Sequence, residues 1–411
     1  MNKSNPIWNI FGQTFSLLGL LISIKLITNY VKPIDYGIYT IYFSIVVFLK
    51  NLSVQPAIQT ILKFFPEFNI DENGFNKFNQ LIRKPVYFFV MIFIIFLIAG
   101  IFFQNDYLIN FSLIICAFIT DSIRDYLRAI QNALKNFRKM SFLTLIPSYL
   151  KGIMGVILYI KFPYAESLLL GFIIANFITL IFFGLNDTFK LLQFSKNYTL
   201  DIHPLKKFIT PLIPHKISSW FFMYIDKYLL LFFLGPTVVG LYTPIYNLLY
   251  QIYWLIHETI TLNFRPYYYD LVQKSKFSDA FKIFNKNVYI AVSIYLVIVL
   301  IFISPLKDLT SLLLSNEYLA YIHLSPLLCL SFSMQMIGYI YETIFYGTSK
   351  TSLIFKIQFG VGIILFVLSA FLMQKFDVIG LIIALIICNL IFVIISTFFA
   401  NKIKIEKNSL K

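Results

Sequence analysis

The sequence predicts an all-α polytopic membrane protein, with twelve transmembrane helices in two parallel-repeat six-helix bundles around a central cavity. Three observations predict it. Of 411 residues, 59% are hydrophobic and only 13% are charged, with a mean hydropathy of +0.78; soluble domains run near 45–50% apolar and about 25% charged. The apolar residues gather in runs near the roughly 20 residues that a helix needs to cross a bilayer. A turn motif then recurs about half a chain length downstream. A soluble enzyme is excluded, because too few polar residues remain to solvate its surface.

The runs fall at 7–28, 38–62, 85–103, 108–130, 141–160 and 166–185, then at 208–234, 238–262, 287–306, 318–346, 352–373 and 377–400. Strands of a membrane β-barrel would be about half as long and would alternate polar with apolar residues, which these do not. The first run is too long for a secretory signal and stays as the first span. With the N-terminus inside, the outer turns hold four cations, Lys32, Lys161, Lys307 and Lys375, against 24 at the inner ends and turns. So strong a bias places both termini in the cytoplasm. It also explains most of the formal net charge of +15 without a nucleic-acid partner. The Lys-rich tail, 401–411, touches anionic headgroups of the lipid bilayer on this reading.

The three cysteines, Cys116, Cys329 and Cys388, lie far apart inside apolar runs, with no spacing for a metal site or a disulfide framework. The four histidines form no i, i+4 ligand pair. No metal site or cofactor is expected, and no Gly-x-x-x-x-Gly-Lys-[Ser/Thr] loop is present for nucleotide hydrolysis.

Pro33-Ile-Asp-Tyr-Gly37-Ile-Tyr39-Thr40, between the first two runs, recurs as Pro236-Thr-Val-Val-Gly240-Leu-Tyr242-Thr243. Phe64-Phe65-Pro66 is echoed by Phe264-Arg265-Pro266 at nearly the same offset. Six spans per half is an even number, so the halves share one orientation and a pseudo-two-fold along the membrane normal. The expected organisation is a six-helix lobe at 1–190, a cytoplasmic linker at 191–207, a second lobe at 208–400 and a basic tail.

Ionisable residues at membrane depth are the candidate binding residues, since each central Lys costs about 2.5–3.5 kcal/mol if it faces lipid. Lys25, Lys50, Lys151, Lys216 and Lys227, with Arg265, are read as a cation set lining a hydrated cavity; Lys25 and Lys356 lie near span ends, where snorkelling competes. Lys50 sits at mid-span beside Asn51, Gln55 and Gln59, which recur on one helical face. Asp226, Glu258 and Glu342 are the candidate coupling-ion residues. Adjacent on a helix, Asp226 and Lys227 point about 100° apart, so each is expected to find its partner elsewhere. Asp121, Arg124, Asp125 and Arg128 form i, i+3 ion pairs that read as a structural bracket. The balance is positive and suits a pyrophosphate or an acidic sugar, with Lys as a releasable contact. Tyr246, Tyr250, Tyr253, Trp254 and Tyr267 to Tyr269 offer rings for stacking on sugars.

The segment Leu26-Ile-Thr-Asn-Tyr-Val-Lys-Pro33-Ile-Asp-Tyr36-Gly37-Ile-Tyr39 resembles the Leu-Gly-Pro-x-x-Tyr-Gly-x-Tyr turn of bacterial O-antigen-type polysaccharide flippases, with Val31-Lys32-Pro33 in place of Leu-Gly-Pro. Phe208-Ile-Thr-Pro211-Leu-Ile-Pro214, Asp226-Lys227 and Gly235-Pro-Thr-Val-Val-Gly240-Leu-Tyr242 resemble the second-half signature of that family. It belongs to the multidrug/oligosaccharidyl-lipid/polysaccharide exporter superfamily. The resemblance implies a bacterial inner-membrane flippase whose cargo is a polyprenyl-pyrophosphate-linked oligosaccharide for O-antigen, capsule or exopolysaccharide. Proton or sodium antiport is the coupling for which the carboxylates are candidates. Two alternatives stay open: a cation-coupled multidrug exporter of the same superfamily, and a membrane polysaccharide polymerase or ligase. The Lys-rich cavity disfavours cationic drugs, and the short outer turns leave no room for a catalytic loop, so no enzymatic activity is expected.

Overall fold

The computed structural model describes residues 7–64, 72–192, 203–303, 313–348 and 350–408, and among them every regular element is helical. In chain order these are α1 (Ile7–Tyr30), α2 (Pro33–Ser53), α3 (Gln55–Phe64), α4 (Glu72–Phe102), α5 (Asp106–Ala133), α6 (Phe137–Lys161), α7 (Ala165–Leu192), α8 (His203–Leu234), α9 (Pro236–Gln273) and α10 (Phe277–Ile303). Two short 3-10 turns, Asn316–Leu319 and Ile322–Leu324, lead into α11 (Ser325–Gly347) and the long α12 (Thr351–Asn408). Among the described residues nine helices are long and apolar enough to cross a membrane, and α2 with α3, bent by 49°, makes a tenth. α12 is broken at Asp377, where φ is 47° and ψ is −131°, so it carries the last two predicted runs. α9 carries the eighth run, and among the described residues each of the twelve runs falls on a helical segment. The second sequence echo, at residues 65 and 66, lies outside the described residues, as do Lys307 and most of the expected linker.

Local chemistry sets the helix ends. Proline occupies the first turn of both α2 and α9, where its missing N–H goes unneeded and its φ is already helical. The repeated motif is thus a helix start. Gly235, just before Pro236, takes φ 83°, which only glycine adopts without strain. The repeat extends to a hydrogen bond: Thr40 Oγ1 donates to the Tyr36 carbonyl at 2.9 Å and Thr243 Oγ1 to the Val239 carbonyl at 2.7 Å. The break between α2 and α3 follows from Pro56, which has no N–H to give the Leu52 carbonyl.

The chain separates into two compact units, residues 1–220 and 221–411. In the first, α6 packs between α1 and α7, while α5 packs on α2, α4 and α7. Gly12 meets Ser141, Gly19 meets Ser148, and Ser23 meets Gly152, so α1 and α6 run parallel in a single register. Ser23 Oγ donates to the Ser148 carbonyl at 2.7 Å. Small residues let backbones approach, which drives helix association where lipid removes the hydrophobic incentive. Between α6 and α7 the glycines Gly155 and Gly171 touch. Phe118, Tyr126, Leu143 and Leu169 fill the core of this unit. In the second unit, α11 packs on α9, α10 and α12. Outward apolar side chains such as Ile98, Phe182, Phe232 and Phe398 are largely exposed, which suits hydrocarbon and not water.

A Cβ at Gly171 would lie 2.3 Å from Gly155 Cα, whereas one at Gly360 meets nothing within 4 Å. Gly171→Val therefore lowers stability by about 1–3 kcal/mol or more. Gly360→Ala leaves stability unchanged or raises it by up to about 1 kcal/mol. Thermal unfolding of the two purified variants in detergent checks the contrast.

Candidate functional site

Each unit holds its own buried charge cluster. In the first, Lys50 comes from the last turn of α2, directly before the break, and is 7% exposed. Its ammonium reaches two carboxylates one turn apart on α5, donating to Asp121 Oδ2 and to Asp125 Oδ2. Arg124 Nη2 donates to Asp125 Oδ1 at 2.9 Å and lies 2.6 Å from Asp121 Oδ1. Arg128, half-exposed, stands 3.9 Å from Asp125 Oδ1 at the edge. The sequence separated Lys50 from the bracket on α5; the fold joins them into one network. Lys151, half-buried on α6, is within electrostatic reach of Arg124 and Asp121, and it makes no hydrogen bond or ion pair among the described residues. With Lys151 and Arg128 the cluster has four cations to two carboxylates, a surplus that attracts an anion. The predicted face of Lys50, Asn51, Gln55 and Gln59 is not continuous, because the bend falls at Val54.

In the second unit, Asp226 and Lys227 on α8 are each 2% exposed. Contrary to the angular argument from sequence, they pair with each other: Lys227 Nζ lies 2.9 Å from Asp226 Oδ2 and 3.1 Å from Oδ1. The four-carbon lysine stem bridges the 100° between neighbouring side chains by folding back along α8, where it also donates to the Met223 carbonyl at 3.3 Å. Tyr242 of α9 donates to Asp226 Oδ2 at 3.4 Å. The ammonium sits 3.4 Å from the centroid of Tyr246, a cation–π contact. Tyr246 begins a ladder along α9. Its ring stacks on Tyr250 at 5.9 Å and 10°, Tyr250 on Trp254 at 6.1 Å and 16°, and Trp254 meets His257 at 5.6 Å. Trp254 is its exposed member, at 36%. Tyr253 and Tyr268 point elsewhere and are fully buried. On α11, Gln335 donates to Tyr339 at 3.2 Å, and Glu342, buried, accepts from Gln358 of α12 at 2.6 Å.

Of the remaining candidates, Arg265 is within electrostatic reach of His257 in the α9 ladder. Lys25 is half-buried on α1 with no ammonium hydrogen bond or ion pair among the described residues; Lys216 is half-buried beside His215 on α8. Glu258 is half-buried on α9, and the Nε of Arg265 is buried without a hydrogen-bond partner among the described residues. No group of His, Cys, Asp and Glu able to hold a metal occurs among the described residues. Sequence reasoning missed one three-helix cluster: Asn110 Nδ2 of α5 donates to Glu166 Oε1 of α7 at 2.9 Å, and Tyr42 of α2 donates to the same oxygen at 3.2 Å. Their only sequence signal was a polar residue near each span end.

Membrane-length helical segments on all twelve predicted runs, counted among the described residues, define a polytopic helical membrane-protein fold. Solved structures share it. The chain resembles an inward-facing multidrug resistance MATE family transporter of the MOP superfamily, 11% identical, over 99% of each chain at a TM-score of 0.68. It also resembles the lipid II flippase MurJ in an inward closed conformation, 15% identical, over 96% of this chain and 87% of that one at 0.70. The Vibrio cholerae MATE transporter VcmN is 13% identical, over 95% and 94%, at 0.59. No curated protein sequence matches it significantly. Residues 3–262 match the family described as Polysaccharide biosynthesis protein, and the chain belongs to that family.

Lys50 gives a sharp test of the first cluster. Lys50→Met removes the ammonium that two buried carboxylates share and leaves them to Arg124, which lowers stability by about 1–3 kcal/mol. Arg128→Gln removes a half-exposed partner and changes it by less than about 1 kcal/mol. Unfolding midpoints in detergent compare the two.

Proposed function

We propose that the protein flips a polyprenyl-pyrophosphate-linked oligosaccharide from the cytoplasmic to the outer leaflet by alternating access, without catalysing a covalent reaction. On this reading it lies in a bacterial cytoplasmic membrane with both termini inside, as the loop charges require. Membership of the polysaccharide biosynthesis family is the observation that carries the proposal. Two features suit such cargo. The α2–α5–α6 cluster, with its cation surplus, offers Lys151 to a diphosphate as a releasable point charge. The α9 ladder exposes Trp254, a flat apolar ring suited to a sugar face. The fold shared with a lipid II flippase is consistent with cargo that is itself lipid-linked. Asp226, Glu258 and Glu342 are the candidate proton or sodium carriers.

One observation favours drug export as a second reading. In the second unit the membrane-depth carboxylates Asp226, Glu258 and Glu342 match the membrane-depth cations Lys227, Arg265 and Lys356 one for one, so at that depth the charges balance. Vesicles carrying the purified protein separate the readings. A lipid-linked oligosaccharide becomes accessible to an impermeant sugar reagent on the opposite face, while a cationic dye is not moved. Trp254→Ala and Lys151→Met each slow translocation about tenfold, the equivalent of about 1.4 kcal/mol; Lys356→Met, on an exposed position, does not. Glycan movement no faster than in protein-free vesicles, or movement of the dye alone, refutes the proposal. Transport that survives collapse of both proton and sodium gradients removes the carboxylates from coupling.

A further inference from the structure

The buried ion pair of the second unit is built differently from that of the first. Lys50 ties α2 to α5, whereas Asp226 and Lys227 are chain neighbours, so their pairing fastens no helix to another. A buried ion pair is a costly way to fill a core, since well-packed apolar residues of similar volume often hold it as well or better. The surroundings of this pair are specific. The Lys227 ammonium donates to Asp226 Oδ1 at 3.1 Å, to Oδ2 at 2.9 Å and to the Met223 carbonyl at 3.3 Å. The same ammonium lies 3.4 Å from the centroid of Tyr246 and 5.6 Å from that of Tyr224. Tyr246 is held in place by Tyr250, stacked on it at 5.9 Å, and by Phe332 of α11, edge-on at 4.9 Å and 85°. Tyr242 donates to the carboxylate from α9 at 3.4 Å. A carboxylate, a carbonyl and aromatic faces gathered round one nitrogen are the groups by which proteins recognise ammonium ligands.

We propose that this cluster is a recognition site for a primary ammonium, that Lys227 is its tethered occupant, and that Lys227 thereby acts as a specificity-determining residue. With the site filled from within, a free amine or other organic cation finds neither the carboxylate nor the ring face available. The tether favours self-occupation, because a four-carbon stem holds the lysine head at an effective concentration that dissolved amines do not match. Burial reinforces it: Asp226 and Lys227 are each 2% exposed and Tyr246 is 5% exposed, so an incoming cation has to displace the lysine and not merely join it. Without the lysine head, the same groups form an unfilled cation site, with the Asp226 charge as its anchor and Tyr246 as its wall. The inference does not rest on the proposed cargo: the site is filled whatever crosses the membrane, and its test measures no transport.

Thermal unfolding of the full-length protein in detergent, with methylammonium chloride or sodium chloride at equal concentration, tests it. Methylammonium is the lysine head without its tether, and sodium controls for screening. Lys227→Ala vacates the site, and Asp226→Asn/Lys227→Ala vacates it and removes its carboxylate as well. A ligand that binds only the folded state stabilises it, so methylammonium raises the unfolding midpoint of Lys227→Ala by several degrees over sodium. Wild-type protein and the double variant show no such rise. Where Lys227→Ala does not fold in sodium, its recovery as a monodisperse species is scored with methylammonium present from solubilisation onward; recovery in methylammonium alone supports the proposal, and recovery in neither salt overturns it. It is also overturned if the two salts act alike on Lys227→Ala, or if wild-type protein or the double variant gains as much from methylammonium.

Discussion

Hydrocarbon does not solvate charge, and that constraint organises both units. An ammonium at membrane depth must bring its own counter-charge or reach water. Lys50 meets the requirement with two carboxylates on α5, spaced one turn apart so that both face α2. Lys227 meets it with its own neighbour, and adds the π-face of Tyr246. The two solutions differ in consequence. The first ties two helices together at the point where α2 breaks, so the network doubles as an anchor for the bend. The second is local to α8 and reaches α9 through Tyr242 and Tyr246, leaving the ladder to carry the site toward Trp254.

Packing supplies the rest of the rigidity. Glycine and serine on α1, α6 and α7 bring three backbones close enough for serine hydroxyls to reach carbonyls on the neighbouring helix. Such contacts need no water to be released, which is why they hold helices together in lipid. The charge network lies between α2 and α5, and Lys151 extends from α6, the helix that the small-residue contacts fix on both sides.

The fold was readable in the sequence because lipid enforces a simple rule: a helix that crosses must be apolar for its whole length, so run lengths alone located the segments. The repeated Pro-x-x-x-Gly start was also legible, since proline at a helix start has a local cause. The site was legible only in part. Composition marked Lys50, Lys151, Lys227 and the tyrosines of α9, but it cannot say which charges meet. Lys50 and Asp121 lie in different helices, and their contact depends on the packing of α2 on α5. The Asp226–Lys227 pair was misjudged because Cβ directions were used for a side chain whose four-carbon stem overrides them. The parallel register of α1 with α6 was hidden because glycine and serine at seven- and four-residue spacings look unremarkable until the partner helix is known.

A double-mutant cycle joining Lys50→Met with Asp121→Asn, followed by thermal unfolding in neutral-lipid nanodiscs, tests the pairing of buried charges most directly. Coupled groups deviate from additivity by about 0.5–3 kcal/mol. The combined variant is expected to lose less stability than the two single variants together, by at least about 1 kcal/mol. Losses that simply add would mean that the ammonium and the carboxylate do not sense each other, and the account of charge held inside the helices would be wrong.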